Sequence, residues 1–490
     1  MNIFCLNTLK PLLNILMLVL ILGSCKPKSL EENSMFPPEV QIIFTNKCAT
    51  SGCHNDKSYQ NAANLNMTSW EKLFEGSVNG SVAIPYAPLQ SSLLQFINTY
   101  DDLGLITSPS MPLNDASLSR NEVIAVKKWI EQGCPNSKGV IPYAENPSTR
   151  GKAYITNQGC DLVSVVDANS KKVMRYVRVG HDAGLIEQPH NIKVSADGKY
   201  WYVCFSNGAY FQKFDATTDS LISEVDITYG KWNVIFLASD NKTAFVSDLS
   251  STGRIVELDI QNMILKKTYA SGLFSNPHGI ATTQTDDTVY ATSQYGNMIY
   301  RIIRSIPQVD NISLQKGIAP TLTPNLLDPH EIIFSHDYKR YFVTCQASNE
   351  LRVMDAKTDT MIKAIPLGIY PLEMAISKKR NLLFITCQED VNPIYPFFKG
   401  SVYVVDLISL TVVKKIYEKF YQPHGIGLDD SRDLLYISST NSNPTGPAPH
   451  HASECAGRNG FFHVIDMNTY ERIGTSSELS VFPYGLGVRE

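Results

Sequence analysis

From about residue 150 onward the chain alternates short apolar runs with polar turns, and the alternation repeats. Five stretches align directly: "QPHNIKVSADGKYWYVCFSNG", "NPHGIATTQTDDTVYATSQYG", "DPHEIIFSHDYKRYFVTCQAS", "YPLEMAISKKRNLLFITCQED" and "QPHGIGLDDSRDLLYISSTNS". A further copy, "KWNVIFLASDNKTAFVSDLSS", is degenerate. Each reads as a first strand, a polar turn and a second strand. A third strand ending in Asp follows, as in "VSVVD", "QKFD", "VELD", "RVMD", "YVVD" and "HVID", then a polar turn and a fourth apolar strand. Four short strands in a period of roughly 40–60 residues are the signature of a β-propeller. The repeat begins at "GKAYITN", which is a second strand, and the chain stops at "FPYGLGVRE", which is a first strand. One blade is therefore closed by strands from both ends of the repeat region, which removes an open sheet edge. Six internal first strands plus the terminal one predict seven blades over residues 151–490.

Upstream the period changes. Residues 36–138 read as a small all-α domain, followed by a proline-containing linker over 139–150, "VIPYAENPSTR". "FPPEVQIIF" places prolines where a helix begins and Val40, Ile43 and Phe44 on one face. "SRNEVIAVKKWIEQGC" puts Ser119 and Glu122 at capping-box spacing, with Val123, Val126 and Ile130 as an apolar stripe and Trp129 beside it. At the start, Lys10 precedes an apolar run from Leu12 to Leu22 and then "LGSC". A basic start, a short apolar run and small residues read over 1–24 as a secretory signal, too short to span a bilayer comfortably. "LGSC" resembles the lipobox of bacterial lipoproteins. That resemblance implies a lipidated Cys25, a polar tether over 25–35 and a location in the periplasm or cell envelope. Membrane contact would then run through the lipid anchor only.

Composition narrows the choices. The 490 residues are too many for one ordinary domain. A formal net charge of −4, with no basic block, gives no reason to expect nucleic acid. Of ten cysteines, Cys5 leaves with the signal and Cys25 with the lipid. In an oxidising compartment the other eight invite disulfides or covalent cofactors.

"CATSGCH" sets Cys48, four residues, Cys53 and His54. It resembles the haem-attachment motif of c-type cytochromes, with four intervening residues where two are usual. The resemblance implies haem c on Cys48 and Cys53, His54 as one axial ligand, and Met111 of "SPSMPLND" as the other. The "MP" followed by "WIEQG" is also cytochrome-like. Two other readings of the pair are a disulfide and a zinc site. Zinc needs two more ligands, and this region adds only Cys134. Met67 is a weaker axial candidate, and Cys134 reads as a buried thiol.

"YITNQGCDLVSVVDANSKKVMRYVRVG" resembles the YVTN family of propellers, a likeness that informs fold more than activity. In such a fold the opening residue of each first strand faces the channel mouth. Read in order, the ring is His190, Asn233, His278, His330, Leu372, His424 and Tyr484. The insertion "SNPTGPAPHHASECAGRNG" is expected on the same face and adds His450 and His451, and the preceding connection adds His181. Such a cluster suits copper, zinc or iron, or a tetrapyrrole such as a second haem. It is equally the Pro-His habit of the fold, with imidazoles bonded to neighbouring loops. His336 is expected to be solvated and His463 structural. Cys160 and Cys455 are expected to form a disulfide, since both follow second strands in blades that meet at closure. Cys204, Cys345 and Cys387 read as buried thiols.

Three functions fit. The first is an extracytoplasmic electron-transfer protein whose propeller docks a redox partner protein or a small-molecule substrate. The second is an oxidoreductase with a further metal or tetrapyrrole centre at the histidine mouth. The third is a non-catalytic binding module.

Overall fold

Seven four-stranded antiparallel sheets fill residues 152–489 and form a β-propeller. The structure is a computed structural model and describes residues 34–272, 274–306 and 308–490. The expected signal over 1–24, the Cys25 expected to be lipidated and all but the last two residues of the expected tether lie outside the described residues. Among the described residues, no helix is long and apolar enough to cross a membrane.

Six blades are sequential, with inner strands Pro189–Val194, Trp232–Leu237, Pro277–Thr282, Pro329–Phe334, Ile369–Ser377 and Pro423–Asp429; these are blades one to six. Blade seven takes its inner strand from the chain end. Pro483–Arg489 pairs with Lys152–Asn157 in the register Lys152 to Arg489 and Ile155 to Leu486. The closed seven-bladed ring thus matches the reading of the repeat.

Second strands such as Lys152–Asn157 and Thr243–Asp248 are buried along their whole length, because both faces of each sheet pack against a neighbouring blade. Trp232, Tyr202 and Phe211 share one such inter-blade layer. Outer strands are different. Ile264–Ala270, "ILKKTYA", is exposed at six of seven positions and carries Lys266 and Lys267. Lysines on an outer strand discourage pairing with other chains. The Asp that ends most third strands accepts backbone N–H bonds from the turn beyond it, as Asp215 does from Thr217 and Thr218 at 2.8 Å.

A second set of bonds ties blade to blade. A hydroxyl on the second strand of each of six blades donates to the ring-residue carbonyl of the next blade: Thr156 to His190, Ser247 to His278, Thr292 to His330, Thr344 to Leu372, Thr386 to His424 and Ser438 to Tyr484, at 2.6–3.3 Å. In blade one Cys204 holds this position and reaches the Trp232 carbonyl at 3.6 Å.

The first domain corrects an expectation. It is not all-α. Its four α-helices are α1 (Pro38–Ile43), α2 (Trp70–Phe74), α3 (Ser92–Ile97) and α4 (Arg120–Glu131), of 6, 5, 6 and 12 residues. Much of the remainder is turn and bend. Pro85, Pro88, Pro109 and Pro112 explain part of this, since proline ends a helix both by its missing N–H and by its ring. The two helices read from sequence are present. α1 starts on its proline, and α4 carries the full Ser119–Glu122 capping box while burying Val123, Val126, Trp129 and Ile130. Phe36, Phe44 and Trp129 meet edge to face at 5.0–6.2 Å in the core.

This domain rests on blades six and seven. Ile84 and Ala87 join a buried cluster with Ala153, Tyr436 and Leu479. Gln95 bonds Ala452 through both N–H and carbonyl, and Gln90 donates to Glu454 at 2.7 Å. The linker is packed as well: Arg489 donates to the carbonyls of Pro147 and Ser148.

Candidate functional site

The cysteine–histidine stretch folds as one compact turn. α1 runs on into a π-helical turn, Phe44–Cys48, closed by Ala49 N–H on the Phe44 carbonyl at 2.7 Å. Wide turns of this kind favour functional positions. Cys53 N–H then bonds the Thr50 carbonyl, and His54 N–H returns to the Cys48 carbonyl, each at 3.1 Å. Cys48 and Cys53 are both free thiols, so the disulfide reading of this pair has no counterpart here. Burial, with Cys53 and then Glu122 nearby, pushes the Cys48 thiol up to about 12. Cys134 is buried and its thiol is also pushed up, by burial alone. The His54 ring donates from Nδ1 to the Leu65 carbonyl at 3.1 Å, and burial keeps the imidazole below its usual value. Met111 packs against the apolar cluster that contains Cys48, while Met67 is a buried member of that cluster. The donor set suits a haem: two free thiols and a neutral imidazole on one turn, and a thioether on the same core.

The propeller mouth is the second site. In six blades the residue before the inner-strand proline has left-handed φ, between 50 and 61° at Gln188, Asn276, Asp328, Tyr370, Gln422 and Phe482. Just beyond it, the pairing of first and second strands shifts register in every blade. A shift of this kind re-aims a side chain. Here it turns the following residue into the channel. His190, His278, His330 and His424 face one another, with ring centroids 6.3, 3.9 and 6.0 Å apart in sequence order. Tyr484 completes the circle, 3.5 Å from His424 in a stack and 4.5 Å from His190. The ring encloses a cavity of about 270 Å³, which Gln294, Gln346, Gln388 and Gln422 also line; among the described residues no Asp, Glu, Lys or Arg lines it.

All four imidazoles are buried, at 2–7 % exposure. Burial depresses every one of them, His190 to about 4, and the neighbouring imidazoles add to the effect at His278, His330 and His424. They are neutral at ordinary pH. His190 Nδ1–H donates to the Asn233 carbonyl at 2.9 Å and His278 Nδ1–H to the His330 carbonyl at 3.0 Å. Among the described residues, His330 Nε2 and both ring nitrogens of His424 have no hydrogen-bond partner. Buried polar atoms left in this state are costly.

One residue deeper lie Glu331 and Glu373, hydrogen-bonded to each other and facing Lys193 of blade one. Burial raises both carboxyl groups. His330, Glu373 and His424 present ligand atoms that all lie within 4.8 Å of one another.

Three expected members of the mouth are elsewhere. His181 is drawn to blade one's outer strands, where Nδ1 sits 2.6 Å from Glu224 and the ring stacks on Tyr210. His450 and His451 are held by Glu478, through His450 N–H at 2.7 Å and His451 Nδ1 at 3.2 Å, beside the first domain. For His181 and His451 a carboxylate captures the imidazole before it reaches the channel, and for His450 it takes the backbone N–H. Asn233 and Leu372 line the mouth as expected but bring no imidazole. His463 lies between the Ser439 and Ser476 hydroxyls at 3.0 Å each, and His336 is half-buried rather than solvated. Cys160 and Cys455 are disulfide-bonded, with Cα atoms 5.5 Å apart, and Cys204, Cys345 and Cys387 are buried free thiols.

Sequence reasoning missed Glu331 and Glu373. Their signal was present: in "DPHEIIF" and "YPLEMAI" an acid follows the ring position inside an otherwise apolar strand. A buried carboxylate in that setting requires a partner.

No protein-family model matches the chain. It is 23 % identical over 299 residues to Antigen Lp49 of Leptospira interrogans serogroup Icterohaemorrhagiae serovar copenhageni (strain Fiocruz L1-130), covering 58 % of this chain and 61 % of that protein. The chain therefore matches less than two thirds of that relative's length. Among solved structures it is similar to a functionally unknown protein from Desulfotomaculum acetoxidans DSM 771. The TM-score is 0.51 and the identity 11 %, over 68 % of this chain and 99 % of that one. It is also similar to Kuenenia stuttgartiensis hydrazine synthase, with TM-score 0.46 and identity 16 %, over 59 % and 81 %. The first of these likenesses bears on fold alone.

Proposed function

We propose that this chain is an extracytoplasmic electron-transfer protein, anchored through Cys25, with one covalent haem c in its first domain. The propeller docks a redox partner protein or a small-molecule substrate. The observation that carries the reading is the Cys48–His54 turn, where two free thiols and a carbonyl-bonded imidazole share one loop over the core that holds Met111. Cys48 and Cys53 would hold the group by thioether bonds, and His54 and Met111 would hold its iron. Bound there, the haem would supply one-electron transfer. The protein's own residues do the rest. Leu65 fixes the tautomer of His54, and the aromatic core around Phe44 and Trp129 keeps water from the buried face.

The test is expression in a host competent for c-type attachment. Colour should stay with the polypeptide on a denaturing gel, and Met111→Ala should lose methionine-type low-spin absorption while keeping the haem. Haem that extracts into acidified solvent, or wild-type protein purified without haem from such a host, would overturn the reading.

A further inference from the structure

We propose that His330, Glu373 and His424 form a mononuclear site for a divalent first-row transition ion, Zn²⁺ by preference, at the mouth of the propeller channel. This site is independent of the haem reading. Three blades in a row, four to six, each supply one ligand from a rigid inner strand.

Convergence is the first argument. The three ligand atoms lie within 4.8 Å of one another, and all three residues are buried. Donors around one zinc at 2.0–2.1 Å stand ~3.4 Å apart, so side-chain rotation of about an ångström completes the set. The second argument is unpaired lone pairs. His330 Nε2 and both nitrogens of His424 are buried without any partner. Metal coordination removes that cost, and neutral imidazole is the form that coordinates. The third is outer support. His330 Nδ1–H donates to Gln294 Oε1 at 3.3 Å, which leaves Nε2 as the ligand atom, and Gln294 is itself held by Gln346 at 2.6 Å. Tyr484 stacks on His424. Partners of this kind orient ligands in metal sites.

Two imidazoles and one carboxylate with a free position form the donor set of a catalytic rather than a structural zinc site. The free position opens on the 270 Å³ cavity, whose polar wall is made of glutamine, asparagine, tyrosine, serine, threonine and unligated histidine. A small neutral or weakly acidic molecule suits that wall better than a strongly charged one. His278, with Nδ1 bonded to a backbone carbonyl, flanks the site without being required by it.

The experiment uses full-length protein stripped with a chelator and titrated with Co²⁺, then with Zn²⁺ in competition. The expected result is one Co²⁺ per chain with tetrahedral-type visible absorption, displaced by Zn²⁺. Glu373→Gln keeps the side-chain volume, and His424→Ala removes an imidazole; each should weaken binding at least about tenfold. His278→Ala should bind as the wild type does. Circular dichroism and the thermal midpoint establish that the variants are folded, and haem content is read separately by its own absorption. Absence of a stoichiometric Co²⁺ site, or folded Glu373→Gln binding with unchanged affinity, would overturn the proposal.

Discussion

His463 shows how much a single buried side chain sets the response to pH. It is held between two serine hydroxyls, and burial, with Arg472 adding to it, lowers its protonation to about 3. In the unfolded chain the same imidazole titrates near 6.5. Between those values the unfolded state binds the extra proton, so stability falls as pH drops from about 6.5 toward 3. The expected loss from this residue between pH 7 and pH 5 is about 2 kcal/mol. Urea midpoints at the two pH values measure it, and His463→Gln should remove that share of the difference. An undiminished difference in the variant would place the acid sensitivity on other imidazoles that burial depresses, among them the channel histidines and His54. At this scale the sequence located His190, His278, His330 and His424 correctly, because a Pro-His pair ahead of an apolar run marks one place in each blade. It did not locate His450 and His451, because what holds them, Glu478, is nearly thirty positions away and says nothing locally.

Among the elements, the insertion after blade six's second strand joins the two domains. Its Cys455 is bonded to Cys160 across 295 residues, and its Ala452 and Glu454 take hydrogen bonds from the first domain. On the chain-entropy account, closing so long a loop contributes at most about 6 kcal/mol. A Cys160→Ser/Cys455→Ser protein should therefore unfold at lower denaturant. Limited proteolysis should also cut it within residues 440–458 before any blade is cleaved. Equal resistance of both proteins would assign the loop's order to its hydrogen bonds. The elements themselves were unevenly legible. Seven first strands and the Ser119–Glu122 helix followed from period and capping. The register shift at each Pro-His corner did not, because alternation predicts which residues are apolar and not where pairing slips by one. The all-α expectation failed where four prolines interrupt the chain between residues 85 and 112.

For the whole molecule, the decisive contact is the one between its ends. Removing residues 483–490 takes away the inner strand of blade seven and, with Tyr484, one wall of the channel mouth. The shortened chain should lose cooperative thermal unfolding and elute as aggregate on size exclusion. A soluble monomer with the full-length midpoint would show that six blades suffice. The repeat count made the closure readable in advance. Nothing in the repeat told where the first domain would rest, since Ile84 and Ala87 look like any other apolar residues in a proline-rich loop.

The same closure bears on the order of events during biosynthesis. Thr156 and Gly485, partners in one 2.8 Å hydrogen bond, are 329 positions apart. Strand pairing at that separation cannot begin until residues 483–489 have been made, however quickly blades one to six assemble. A nascent chain thus carries Lys152–Asn157 without its inner neighbour until Pro483–Arg489 has emerged, and the ring shuts only after that.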